Sequence, residues 1–449
     1  MTRSEDLLAL AQRIAAQAGP GEQVEAFVAR GRRFNVRAYQ GEVESLTAAE
    51  SSGIGVRVVR GGRQGFAHAG TLDEVVLAEV LADARDNLAF GEPDEWYGLA
   101  DPDGVPQPDI ALFAPELLTM PSADKVALAV ELERAVRAAD PRISGVRQAS
   151  YGDGIGEAAI ATSTGIAVHT ASTACWLSAT ALAPDGERTQ TGGGVGVGRH
   201  AGELDLAAVA AEAAEHATRL IGAGPIPSRR LTVVFERRVA ASFLAIVAGM
   251  LSGERVLKGR SPFAERLGEV VASPLLTLVD DATNPASFGA DTTDAEGLAT
   301  RPTTLLDRGV LRAFLHNTYT GRRTGSGTTA SAVRGYTSTP GVGALALAPA
   351  PGSQSLDELC ATAGDGLLVQ SVTGLNSGVN SVSGDFSVGA EGLLIEGGVP
   401  TRPVREVTIA STVPRMLLDV VAVGGDLEWL PGGDAGVSLA IADMTLSGA

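Results

Sequence analysis

Glycine constrains this chain more than any other residue: 56 of its 449 positions are Gly, while Phe, Trp and Tyr together supply only 4%. Glycine weakens helix interiors and is favoured where the backbone turns tightly or takes a positive φ. A chain this poor in rings must fill its core with Ala, Val, Leu and Ile, and frequent turns between short apolar runs favour strands. At 449 residues one core is unusual, so two domains are expected. The apolar fraction of 45% is ordinary for a globular protein, so burial is not limiting.

Charge narrows the function. A formal charge of -18 argues against a nucleic-acid surface, because phosphate binding needs a concentrated basic face. Cys175 and Cys360 cannot build a disulfide framework and suit a reducing compartment. The N-terminus leads into an amphipathic helix reaching about residue 18 and lacks the long apolar core of a signal peptide. No run approaches the ~18 uninterrupted apolar residues that span a bilayer. A soluble, cytoplasmic protein with no membrane partner is expected.

The fold class read from the pattern is α+β: a layered N-terminal domain over residues 1–222, then a mostly antiparallel β domain over 229–449 with one long buried helix. Period-2 alternation predicts two strands at 24–32 and 34–40, a turn at Gln40-Gly41, and a hairpin of 53–60 with 64–68 around Gly61-Gly62. A helix follows at 71–89, then an irregular proline-rich connection at 91–121. Ser122 is a plausible cap for a helix ending at Ala139. Strands dominate 143–198, and a helix at 204–221 closes the first half. Pro225 and Pro227 mark the best boundary. In the second half, a strand at 231–235 precedes an apolar helix at 239–253, a further helix is expected near 355–364, and Gly-rich turns separate short strands.

Several stretches, in this order, resemble the TldD/PmbA family of metallopeptidases. Residues 41–67 are close to the family's N-terminal pattern. Leu278-Val279-Asp280-Asp281, then Asp294-Ala295-Glu296-Gly297, resemble its acidic segment. Ser383-Gly384-Asp385-Phe386-Ser387 with Glu396-Gly397-Gly398 resembles its most distinctive signature, and Val423-Gly424-Gly425-Asp426-Leu427 a further motif. In the metal-bearing TldD branch the apolar helix carries His-Glu-x-x-x-His, and a cysteine near the C-terminus adds a thiolate. Here the matching positions are Ala245, Ile246 and Met250, and residues 431–438 contain no cysteine. None of these side chains can ligate zinc or move a proton at neutral pH. The resemblance therefore implies the PmbA/TldE branch: a subunit with no cofactor of its own and no catalytic residue, paired with a TldD-like subunit that carries zinc and acting on extended peptides. The family's older association with DNA gyrase gains nothing from this acidic chain.

Other residues are candidates for contacts rather than chemistry. The stretch 321–335 reads as a mobile loop whose Arg322, Arg323 and Arg334 would meet peptide or partner. Asn376, Ser383 and Asp385 form a second candidate set. Asp280 with Asp281, and Asp294 with Glu296, could share protons or bind a hard cation, but read chiefly as carboxylates satisfying turn amides. His316 reads as a satisfied imidazole at a strand end, and Cys175 as buried and inert. Two further readings stay open: a self-sufficient hydrolase, perhaps a homodimer, working with Asp280, Asp281, His316 or Asp385, and a non-enzymatic binding or assembly protein.

Overall fold

In a computed structural model, which describes residues 4–448, the first half is one six-stranded antiparallel sheet with helices on one face. Helix α1 (Ser4–Ala15) precedes β1 (Gln23–Tyr39), β2 (Glu42–Arg60), β3 (Arg63–Ala69) and α2 (Glu74–Asn87). After the one-turn α3 (Glu116–Thr119) come α4 (Ser122–Ala139), β4 (Gly145–Thr162), β5 (Ala167–Asp185), β6 (Arg188–Gly198) and α5 (Leu206–Thr218). The strand order is β3-β2-β1-β4-β5-β6.

Alternation decides what each face of this sheet does. Val24, Ala26 and Val28 of β1, with Ile54, Val56 and Val58 of β2, pack in one cluster with buried residues of α1 and α2. Phe34, Val36, Leu177 and Ala179 form a second cluster with residues of α4 and α5. The intervening side chains point to the other face, where the C-terminal half lies against the sheet.

Several details depart from the sequence pattern. The first helix stops at Ala15, short of residue 18. The two strands expected at 24–32 and 34–40 are one strand, because β2 and β4 pair with β1 on both sides straight through Arg32 and Arg33. Backbone pairing on both edges overrides a local break in side-chain alternation. Ser122 is the first helical residue rather than the cap; Pro121 holds that place and makes no side-chain capping bond.

The second half closes a ring of strands. The order is 399–412, 385–396, 366–373, β7 (Arg229–Phe235), 439–447 and 420–423, and a further pairing joins 408–410 to 445–447. Only β7 with Gly366–Val369 runs parallel. Helix α6 (Arg237–Met250) buries Phe243, Leu244, Val247 and Met250 in the large core of this half. The helix expected to run to Gly253 breaks at Leu251-Ser252, where the chain pairs with Leu315, and resumes as the short α7 (Gly253–Leu257). The amide of Gly253 donates to Leu315 O at 2.8 Å. A Cβ on Gly253 would overlap the His316 ring, so this junction requires glycine. Although aromatics are rare, Tyr151, Phe235, Phe243, Phe263 and Phe386 are among the largest fully buried side chains.

Candidate functional site

Helix α6 is placed by β7 before it and by the ring of strands beneath it. Ala245 and Ile246 are half-buried, and Met250 is fully buried. Met250 belongs to the large hydrophobic cluster and Ile246 packs against it. These three side chains are apolar, and two of them, Ile246 and Met250, are committed to the core. Among the described residues no group of three or more His, Cys, Asp or Glu side chains could hold a metal ion.

The structure draws the segment 376–387 onto this helix. Phe386 is buried and meets Phe243 of α6 edge-on, ring centres 6.2 Å apart. Gly384, at φ 83°, lets the chain turn against Pro414. Asn380 Oδ1 accepts from Val382 N at 2.9 Å, and Asn380 O accepts from Gly384 N at 2.8 Å. This anchoring leaves Asn376, Ser383 and Asp385 exposed. Ser383 Oγ donates to Asp385 Oδ2 at 2.6 Å, and Arg255 of α7 reaches Ser381. Their surface position is compatible with a contact role.

The three arginines are not part of this surface, and the expected mobile loop is largely ordered structure. Residues 318–324 form α8 (Thr318–Thr324), started by a capping box between Asn317 and Thr320 and ended by Gly325 at φ 72°. Arg322 donates to Leu99 O at 2.8 Å and pairs with Asp101; Arg323 pairs with Asp94 and with the Tyr319 hydroxyl. Both tie α8 to the proline-rich connection. Arg334 is not a contact residue at all: it is buried and pairs with Glu25 of β1 at 2.6 Å. Its cationic composition suggested an exposed loop, but each cation has an acidic partner from the first half.

Around Arg334 lies a buried cluster that no motif revealed. Arg57 of β2 binds Glu25 with two nitrogens, at 3.0 and 2.9 Å, and approaches Glu296 at 3.5 Å; Glu296 also accepts from Thr318 N at 2.7 Å. Burial pushes the Glu25 carboxyl up, but Arg334 and Arg57 more than offset this and hold it below the usual range. Asp294 satisfies turn amides, as the sequence suggested, from a buried position: it accepts from the amides of Glu296 and Leu298 and also from that of Ala332. Burial, then the nearby Glu296, pushes its carboxyl up. A single charged residue inside the apolar runs Val24-Glu25-Ala26 and Val56-Arg57-Val58 was the available signal.

The residues of an independent hydrolase do not converge into one hydrogen-bonded set. Asp280 Oδ1 accepts from Leu345 N and Ala346 N, while Asp281 caps Thr283. His316 Nδ1 lies 3.1 Å from Thr320 Oγ1, and burial lowers its proton affinity. Asp385 pairs locally with Ser383. Cys175 is buried, and burial pushes its thiol up to about 12, which removes the nucleophilic thiolate at neutral pH.

The buried carboxyls give a pH prediction. Burial pushes Asp280 and Asp291 up to about 6 each. Unfolded carboxyls ionise near 4, so ionising these groups costs stability, and their contribution declines as pH rises from about 4 through about 6. Glu25 acts oppositely and loses its contribution only as pH falls below its unfolded value. Between pH 5.5 and 8 these two carboxyls should therefore impose a downward slope on the thermal midpoint, while His216 and His316, whose proton affinity burial lowers, act in the opposite sense. Asp280→Asn keeps Oδ1 for both amides and should flatten that slope; an equal slope in the variant rules Asp280 out as its source.

The sheet face turned toward the C-terminal half supplies the other notable space. Ser51, Gly31, Gly156 and Ser172 stand side by side across β2, β1, β4 and β5. They floor a cleft of about 560 Å³ walled by Trp176 and, from the C-terminal half, Phe288 and Pro431. A separate cleft of about 600 Å³ beside α5 is lined by ion pairs, including Arg238 with Glu212.

A helix-backed sheet followed by a ring of strands packed on α6 defines the scaffold. Residues 228–448 match the PmbA/TldA metallopeptidase C-terminal domain, 115–221 its central domain and 24–88 its domain 1. The chain belongs to the PmbA/TldD metallopeptidase family. It is 25% identical over 413 residues to the metalloprotease PmbA of Escherichia coli, covering 91% of this chain and 89% of that one. The crystal structure of a Thermotoga maritima protein proposed to modulate DNA gyrase superposes with a TM-score of 0.88 at 25% identity, covering 99% of both chains. TldE from Thermococcus kodakarensis shares the fold, with a TM-score of 0.88 at 21% identity and 99% coverage of both chains.

Proposed function

We propose that this chain is the metal-free, PmbA/TldE-type subunit of a cytoplasmic peptidase, with zinc carried by a TldD-type partner. The observation that carries this reading is the set of apolar side chains at Ala245, Ile246 and Met250, on the helix where family resemblance places the metal motif. A zinc-bound water needs three protein ligands and an open position beside them, and this helix supplies no donor. The described residues contain no helix long and apolar enough to cross a membrane, which accords with a peptidase acting in solution. The chain's part is to complete the enclosure and hold an extended substrate by its backbone, which favours unfolded segments and leader peptides over folded proteins. The exposed Asn376, Ser383 and Asp385, and the small-residue cleft floor, are the surfaces available for this.

The test uses three samples: this chain, a TldD-type subunit, and their mixture. Zinc content is measured on each, together with cleavage of an unstructured peptide with and without chelator. The chain alone should hold well under one zinc per molecule and cleave nothing, while the mixture should cleave the peptide in a chelator-sensitive manner. Chelator-resistant cleavage by the chain alone would establish the independent hydrolase instead. Absence of both complex and activity in the mixture would favour a binding or assembly protein.

A further inference from the structure

We infer that the cleft on the N-terminal sheet continues inward as a channel that takes the C-terminal end of an extended peptide and seats its free carboxylate on Arg334. This deepens the substrate-holding role proposed above, and rests on it, by naming which end of the substrate this chain recognises. Three spaces lie in line on the sheet face turned toward the C-terminal half. The cleft of about 560 Å³ shares Gly31, Ser51, Gly156 and Ser172 with a second space of about 310 Å³. That space shares Ala158, Thr170 and Asp291 with a third of about 200 Å³, lined by Phe27 and Arg334.

Strand register gives the channel its length and its taper. Side chains two apart on a strand share a face, so the floor is a series of rows: Gly31-Gly156-Ser172, then Ala29-Ala158-Thr170, then Phe27-Ile160-Val168. From Trp176 to Val168 along β5 the floor runs roughly 26 Å at about 3.3 Å per residue, the reach of about eight extended residues. Small side chains in the first two rows leave room for a main chain, and the apolar last row fits an aliphatic side chain. The innermost space is smaller than the roughly 300 Å³ at which pockets for drug-sized ligands begin, so it suits a single residue.

What selects a carboxylate is the guanidinium at the inner end. The Arg334 side chain is 1% exposed, with Nη1 on Glu25 at 2.6 Å and its guanidinium carbon 4.7 Å from the Phe27 ring centre. Nε and Nη2, the edge that matches a carboxylate with two parallel N–H···O bonds, have no hydrogen-bond partner among the described residues. Buried donors are rarely left unmet, because they lose solvation without a replacement. The surroundings admit a further negative charge: Arg57 and Arg334 balance Glu25 and Glu296, while burial, then the nearby Glu296, pushes Asp294 toward its neutral form. Asp291, where the second and third spaces meet, accepts from Thr292 N at 2.7 Å. It supplies an acceptor for the last amide N–H of the peptide and repels an acidic final side chain.

Titration calorimetry tests this on the full chain, alone and mixed with a TldD-type subunit in chelator so that nothing is cleaved. The probe is an unstructured peptide of about ten residues ending in Leu, as the free acid and as the C-terminal amide. The free acid should bind at least ten-fold more tightly than the amide, and more tightly than the same peptide ending in Glu. Arg334→Lys keeps a cation for Glu25 but removes the fork; provided its thermal melt shows a folded chain, it should abolish the preference for the free acid. Ala158→Leu, which fills the passage, should weaken both forms. Equal affinity of the wild-type chain for acid and amide overturns the assignment and leaves Arg334 meeting water only, and so does an undiminished preference in folded R334K. Free leucine bound as tightly as the peptide would restrict the site to single amino acids and overturn the channel. Absence of binding by both samples overturns it as well. None of these results alters zinc content or chelator-sensitive cleavage by the mixture, so the carboxylate assignment fails separately from the heteromeric reading.

Discussion

Replacing Arg334 with Met should lower folding stability by roughly 3–5 kcal/mol, the cost of stripping one partner from a buried ion pair. Glu25 and Arg57 are at most 5% exposed at the side chain, as are Glu296 and Arg334. Two guanidinium groups face two carboxylates, with the neighbouring Asp294 pushed toward its neutral form. Without Arg334, a negative charge is left where water cannot reach it. Phe27 also loses the guanidinium stacked 4.7 Å from its ring. The companion variant E25Q/R334M removes one charge of each sign and should cost clearly less than the sum of the two single changes, the signature of direct coupling. Urea unfolding of the four proteins measures it. A loss below about 1 kcal/mol for the single change, the range of exposed pairs, would mean that the cluster does not hold the two halves together.

The second large effect concerns the helix itself. Installing a His-Glu-x-x-x-His pattern on α6 with A245H/I246E/M250H should give neither stoichiometric zinc nor peptide cleavage by the isolated chain, and should destabilise it. Met250 is fully buried; its replacement by His forfeits about 1.5–3 kcal/mol of apolar burial and strands polar ring atoms at about 1–3 kcal/mol. The thiol expected of the metal-bearing branch also has no counterpart within 431–438. Zinc analysis, peptide assay and thermal melts decide it. One tightly held zinc per chain in the triple variant would show that the site is only three substitutions from function, and would weaken the case for a structurally committed helix.

Much of the architecture was legible in the chain. The largely alternating stretches Val24 to Val28 and Ile54 to Val58 announced strands, which the fold buries on both faces, and Gln40-Gly41 and Gly61-Gly62 marked the turns joining β1 to β2 and β2 to β3. Ser355 and Glu358 form the reciprocal capping box that opens the helix Leu356–Ala363, within the span read from sequence. The site was less legible where contacts are long-range. Arg322, Arg323 and Arg334 looked like a free cationic loop because their partners Asp101, Asp94 and Glu25 lie more than 200 positions earlier.

What the sequence determined by itself was chemical capacity: Ala245, Ile246 and Met250 offer no imidazole, carboxylate or thiolate, the donors of zinc sites, because side-chain donors are fixed by residue type. What only the tertiary structure decided was which charges are buried and which spaces lie between the halves. Glu25 and Arg334 are 309 residues apart, and the cleft on the N-terminal sheet takes walls from Phe288 and Pro431 of the second half. Both depend on how distant segments meet in space, and local pattern carries no record of that.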